Sequence, residues 1–192
     1  MLGMTTALLV IDVQESFRQR AADWQATANP AVVDRVGRLV AAARAAGDLV
    51  VWVLHTEPGS GGVFDPENGF VRPIDPLQPI AGEPLMRKTS INAFTTTNLQ
   101  QQLTTHGVRE VVICGIRTEQ CCETTARVAS DLGYRVLFVG DATTTSAITA
   151  TDGRVALSGQ QIIARTEAVL AAREFATVVS TDEVIARTAL PA

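Results

Sequence analysis

Basic blocks, long apolar runs, a disulfide framework and metal-ligand clusters are all missing from this chain, and each absence removes a class of function. Sixteen Lys and Arg stand against twenty Asp and Glu, a net charge of −4. No Lys/Arg block occurs, so a nucleic-acid partner has no electrostatic footprint. Apolar runs are short, such as LVVWVL at 49–54. That is far below the ~20 residues of a membrane-spanning helix, so no membrane partner is expected. Three cysteines, two of them adjacent, cannot build a disulfide scaffold, and reduced thiols are the default. A redox pair is disfavoured, because neighbouring cysteines close a strained ring and CxxC is absent. Two separated histidines without CxxC argue against a zinc cluster, so no metal is expected. GxGxxG and the P-loop are also absent, which leaves no phosphate-binding device and points to no cofactor. No basic residue precedes Arg18, and Asp12 interrupts the first apolar run. The N-terminus therefore lacks a signal peptide's charged start and reads as the first strand of a cytoplasmic protein.

What is present is a packable globule: 192 residues, 46% hydrophobic and 19% charged. Neither repeat nor linker divides it, so residues 1–192 are expected to form a single domain. Apolar strand-like runs alternate with helical patterns. Strands are expected at 7–13, 49–56, 110–115, 134–140 and 176–180, with a short apolar pair at Leu85 and Met86. Asn29 followed by Pro30 reads as a helix start, and Gly47 as its end. Thr118 reads as the cap of a helix running to Gly133. A long helix is expected from about 151 to 172, and Ser180 with Glu183 makes a capping box for a final one. Such alternation implies an α/β, doubly wound, three-layer α/β/α architecture around a mostly parallel sheet. Ligands in these sheets bind outside the carboxyl ends of the strands.

That rule directs attention to three polar residues. Asp12 ends the first strand, Lys88 follows Met86 and Arg87, and Cys121 lies just past 110–115. If Thr118 caps its helix, Cys121 sits in the first turn, where unpaired N–H groups and the dipole lower a thiol's pKa and make it a nucleophile. The alternative for Cys121 is a small buried residue. Asp12 is equally a turn residue, Lys88 a solvated lysine and His55 a satisfied core or rim histidine. Cys122 points about 100° further round the helix and should pack. Cys114 lies within a strand and should be core. His106, beside Gly107, reads as a helix end.

Taken in order, ALLVIDVQESF, KTSINAF and CGIRTEQCCETTARVASDLGYRV, with DAT at 141–143, resemble the isochorismatase-like cysteine hydrolases. That family includes nicotinamidases, N-carbamoylsarcosine amidase and ureidoacrylate amidases. The resemblance covers nearly the whole chain and implies a six-stranded, mostly parallel sheet. By motif position it implies a catalytic triad of Asp12, Lys88 and Cys121. It further implies a cis peptide at Ile116–Arg117 and an oxyanion hole from the backbone N–H groups of Arg117 and Cys121. The implied activity is hydrolysis of a C–N bond, in an amide, ureide or carbamoyl compound, through a Cys thioester. The partner is a small-molecule substrate, and a homodimer or homotetramer is expected. Isochorismatase-type vinyl-ether cleavage, or binding without catalysis, are the alternatives. Where metal-binding relatives carry DxHxxH, only His55 survives here, so the metal site is expected to be absent. Gln14, Phe17, Trp24, His55, Phe70 and Phe94 are candidate pocket residues, with core packing an equal reading for the aromatics. Arg117's side chain has two destinations, a substrate carboxylate or a protein acid, and the protein acid is preferred. The glycines at 59–62 suggest a mobile segment near the entrance.

Overall fold

The computed structural model describes residues 5–188. Six parallel strands make its centre: β1 (Thr5–Ile11), β2 (Leu49–His55), β3 (Leu85–Lys88), β4 (Val108–Ile116), β5 (Arg135–Thr144) and β8 (Thr177–Val179). They lie in the order β3-β2-β1-β4-β5-β8. The near-continuous burial of β1, β2 and β4 is what a sheet covered on both faces requires. Val32, Val36, Leu39, Val40 and Ala43 of α3 (Val32–Ala46), with Val184 of α7 (Thr181–Thr188), seal one face. On the other face lie Leu99 and Leu103 of α4 (Leu99–Thr105), Ala126 and Ala129 of α5 (Glu123–Asp131), and Leu170 of α6 (Gly159–Ala172). Among the described residues no helix is long and apolar enough to cross a membrane.

Several expected boundaries move, each for a local reason. Asn29 does not cap α3, which starts at Val32 with no side-chain cap. Its amide instead donates to the carbonyls of Asp141 and Thr143, fastening the chain before α3 to β5. The expected helix from 151 begins only at Gly159, where Ser158 and Gln161 form the capping box. The stretch before it makes a hairpin of β6 (Ile148–Thr149) and β7 (Val155–Leu157). The Ser180–Glu183 box is present, with Glu183 accepting from the Ser180 N–H at 2.7 Å and returning its own N–H to Ser180 Oγ. Gly47 ends α3 in the left-handed conformation.

The strand order reverses between β1 and β4, which opens a crevice at their carboxyl ends. Gly115 makes the join possible: a Cβ there would lie 1.9 Å from the Ile11 carbonyl oxygen, and its φ is +132°. Only glycine allows so close an approach of the two strands at that point.

Candidate active site

Four chain segments meet at this crevice. β1 ends at Ile11, and Asp12 turns out of the strand with φ +52°. That left-handed conformation costs a non-glycine residue roughly 1–3 kcal/mol, so the surrounding structure must hold it. The Asp12 N–H donates to the Val53 carbonyl at 2.8 Å. Gln14, fully buried, clamps β1 to β2: its amide donates to His55 O and Ser16 Oγ, and its carbonyl accepts the His55 N–H at 2.7 Å. This uses both N–H donors of the Gln14 amide and one acceptor site of its carbonyl, so Gln14 acts as a strut between the two strands.

Lys88 ends β3, in register with His55. It is completely buried, and it is the only lysine in the chain, every other cation being an arginine. Lys88 Nζ lies 2.8 Å from Asp12 Oδ2. It donates to Cys121 Sγ at 3.3 Å and to Ser90 O at 3.2 Å. Lys88 and the Cys121 thiol are the donors within reach of the Asp12 carboxylate, and among the described residues no backbone N–H or hydroxyl donates to it.

Cys121 arrives from the loop after β4. The Ile116–Arg117 peptide is cis. A π turn, Thr118–Cys122, follows, and α5 starts only at Glu123. Thr118 therefore does not cap a helix. Its hydroxyl donates to Thr143 Oγ1 at 3.0 Å, which donates on to Gly140 O at 2.9 Å, tying the turn to β5. The Arg117 N–H has no acceptor among the described residues. Cys122 packs in the core beside Ala126, and Cys114 lies sealed within β4.

The electrostatics overturn the expected low-pKa thiol. Burial first, and then the Asp12 carboxylate, push Cys121 up to about 12 against the pull of Lys88. Burial also raises Asp12, with Lys88 opposing. Burial tends to neutralise Lys88, but Asp12 and Cys121 outweigh it and keep it charged. A carboxylate, an ammonium and a thiol carry no net charge together. Losing a proton to water would leave a buried negative charge, whereas passing it from Cys121 to Asp12 keeps the group neutral. The pair thus holds one proton between them, as strongly coupled sites do.

The remaining sequence candidates separate. Phe17 and Trp24, the latter in α2 (Ala21–Gln25), line a narrow cleft of about 20 Å³ with Asp23, Ile116, Arg117 and Ser146. Asp12, Lys88 and Cys121 do not line it. Phe94 is not a pocket wall: it stacks on Tyr134 with ring centroids 6.2 Å apart, inside the α4–α5 core. Phe70 contributes its backbone, accepting from the Ser16 N–H and hydroxyl. His55 packs edge-on against Phe64, and its Nδ1 is buried with no hydrogen-bond partner among the described residues. Arg117 pairs with Asp23 at 3.3 Å and donates to Ser146 Oγ at 2.8 Å, the protein-acid destination. The glycine loop at 59–62 is tethered, with Asn68 donating to the carbonyls of Gly61 and Gly62.

A metal does not fit these residues. Among those described, no group of three or more His, Cys, Asp or Glu is placed to hold an ion, and His55 Nε2 has only Glu57 near it, at 3.4 Å.

Comparison with known proteins agrees with this fold. The Isochorismatase domain model matches residues 6–183. Streptothricin hydrolase of Streptomyces noursei is 39% identical over 136 residues, which is 71% of this chain but 48% of that relative, so the chain spans about half its length. The ureidoacrylate amidohydrolase RutB of Methylorubrum extorquens is 29% identical over 171 residues, 72% of this chain and 69% of the relative. A cysteine hydrolase structure from Pseudomonas syringae pv. phaseolicola superposes with a TM-score of 0.86 at 26% identity, covering 95% of this chain and 92% of that one.

Proposed function

The chain belongs to the isochorismatase family of hydrolases, and from that premise we propose that it is a metal-independent cysteine hydrolase cleaving a C–N bond of a small amide, ureide or carbamoyl compound. One observation carries the proposal. A fully buried carboxylate lies 2.8 Å from a fully buried lysine, which in turn donates to a thiol at 3.3 Å, all at the strand-order switch.

The roles follow from the charges. Asp12, the nearby base, accepts the Cys121 proton as the sulfur attacks the substrate carbonyl. Lys88 stabilises whichever of the two carries the negative charge. The N–H groups of Arg117 and Cys121 are assigned to the carbonyl oxygen as it becomes an oxyanion, each such donor supplying about 10²–10³ in rate. The tetrahedral intermediate expels the amine, which takes the proton held by Asp12, and a thioester remains on Cys121. Water then gives a proton to Asp12 and attacks the thioester carbonyl. Collapse releases the carboxylic acid, and the sulfur recovers its proton from Asp12. One residue serves as acid and base in both halves.

A panel of small primary amides, ureides and carbamoyl compounds, with intact-mass detection of an acyl adduct, tests this. The wild type should hydrolyse at least one and show the adduct. Cys121→Ala should lose the adduct and about 10³-fold or more in kcat. Full amide hydrolysis by Cys121→Ala would refute the thioester route. Cleavage of vinyl ethers by both proteins, with amides untouched, would move the assignment to vinyl-ether hydrolysis through Asp12. The nitrogen-bearing names of relatives such as ureidoacrylate amidohydrolase favour the C–N reading.

A further inference from the structure

Only one side of the His55 ring has its partners on the page. The Gln14 amide grips the His55 backbone N–H and carbonyl. The ring rests edge-on against Phe64, centroids 5.5 Å apart, and Nε2 lies 3.4 Å from Glu57 Oε1. Glu57 is 48% exposed and the His55 side chain 15%, so Nε2 is the outer nitrogen. Nδ1 is the inner one, buried with no hydrogen-bond partner among the described residues. With the Nε2 proton given to Glu57, Nδ1 is a bare acceptor. A buried polar atom of this kind calls for a partner in the working protein.

The sheet order places this ring. β2 runs between β3 and β1. Lys88 ends β3 in register with His55, and Asp12 follows Ile11, which is in register with Val53. The 2.8 Å pair of Lys88 and Asp12 therefore bridges the end of β2, where His55 stands. Side chains alternate along a strand. Val51 and Val53 of β2 and Met86 of β3 pack in the same core cluster as Cys121. His55 and Lys88, each two residues further on, thus fall on the face that carries Cys121. Lys88 cannot serve Nδ1, because an ammonium has three protons and its neighbours Asp12, Cys121 and Ser90 O take them. Asp12 registers the ring as well: burial raises it, and against burial stand Lys88, Cys121 and, last, a positive charge on His55.

We propose that His55 is a further catalytic residue, whose Nδ1 accepts a hydrogen bond from the group that trades a proton with Asp12. The assignment rests on the thioester reading above. In the first half of the reaction that group is the leaving amine. Its nitrogen takes the proton held by Asp12, and an N–H it already carries points to Nδ1. In the second half the group is water. One O–H gives its proton to Asp12, the other points to Nδ1, and the oxygen attacks the thioester carbonyl. The second half retraces the first with water in place of the amine, so both occupy one place and one acceptor serves both. No proton passes to His55, and the balance of each step is unchanged.

p-Nitrophenyl acetate tests this, because its leaving group departs as an anion and only the water step then depends on Nδ1. The wild type should release a burst of p-nitrophenolate, carry an acetyl adduct on Cys121 and turn over steadily. His55→Leu should keep the burst, lose about tenfold in the steady rate, the size of one hydrogen bond, and accumulate the adduct. Asparagine sets an amide oxygen near the position of Nδ1, and glutamine sets one near Nε2. His55→Asn should therefore recover most of the steady rate, and His55→Gln should not. Should His55→Leu fail to fold, the difference between the Asn and Gln variants decides. An unchanged steady rate in His55→Leu overturns the proposal. So does a burst slowed as much as turnover, or equal steady rates in His55→Asn and His55→Gln. Any of these with the adduct still formed leaves the thioester route standing. The expected pattern with no amide hydrolysed defeats the assigned C–N substrate alone, and a wild type that forms no adduct with the ester or the amide panel overturns both.

Discussion

Two buried carboxylates flank the same turn, and they are built in opposite ways. Glu123 opens α5, one residue beyond Cys122. Its oxygens receive Arg127 at 2.7 and 3.1 Å, Arg165 at 2.5 Å and the Thr166 hydroxyl at 3.0 Å. Burial works to raise it, but these donors outweigh burial and hold it below its ordinary value. Asp12 is more deeply buried, has one cation, Lys88, with the Cys121 thiol as its other donor, and burial wins. A saturated carboxylate cannot take a proton readily and so holds α5 to α6. An unsaturated one is ready to take a proton, at a cost in stability. Deeper burial together with fewer donors distinguishes the reactive group from the strut.

The largest expected effect comes from breaking the Asp12–Lys88 pair on one side only. Lys88→Met should destabilise the protein by about 3–5 kcal/mol at pH 7, because the remaining carboxylate is buried and unpaired. Denaturant unfolding measures this, and a loss under 1 kcal/mol would show that the pair matters little to the fold. Removing both charges sharpens the contrast. The double variant Asp12→Asn, Lys88→Met should be inactive yet about as stable as wild type or more so, since buried pairs replaced together are often neutral or stabilising. A double variant less stable than Lys88→Met alone would contradict this. Gly115→Ala should also cost about 3 kcal/mol or more, because its Cβ would overlap the Ile11 carbonyl, and its melting temperature checks this.

Glu123→Gln should be milder, about 1–3 kcal/mol, the loss expected when charged hydrogen bonds are weakened. Its pH dependence has a definite sign. Glu123 is held low in the fold, so its contribution is complete above the ordinary value of 4.5 and is lost as pH falls through the lower folded value. The stability gap between wild type and Glu123→Gln should therefore be flat from pH 8 to 6 and close in acid. A gap that widens below pH 4 would be the wrong sign. The smallest effect is expected from Thr118→Val, about 1 kcal/mol for one neutral hydrogen bond to Thr143. Its kcat should fall more than its stability if that bond sets the angle of the turn.

Much of this was legible beforehand. Continuous apolar runs read as buried parallel strands because a strand covered on both faces has no polar side to show. The segments carrying Asp12, Lys88 and Cys121 were legible as motifs. The start of α5 was not, because Thr118 is a good cap by type and only the proximity of Thr143 gives its hydroxyl a different partner. Gln14, Phe70 and Phe94 looked like crevice residues because they follow strands or lie in loops. Their backbone and side-chain hydrogen bonds, or a stacking neighbour forty residues away, claimed them instead.

Composition and periodicity alone determined the strand–helix alternation and the absence of a disulfide scaffold, since these depend on each segment's own pattern. The proton's position among Asp12, Lys88 and Cys121, and the side on which Arg117 lies, were decided only by tertiary structure. Residues far apart in the chain exclude water together there. The free energy of a buried charge depends on which opposite charges and donors share its enclosure, and no segment carries that information by itself.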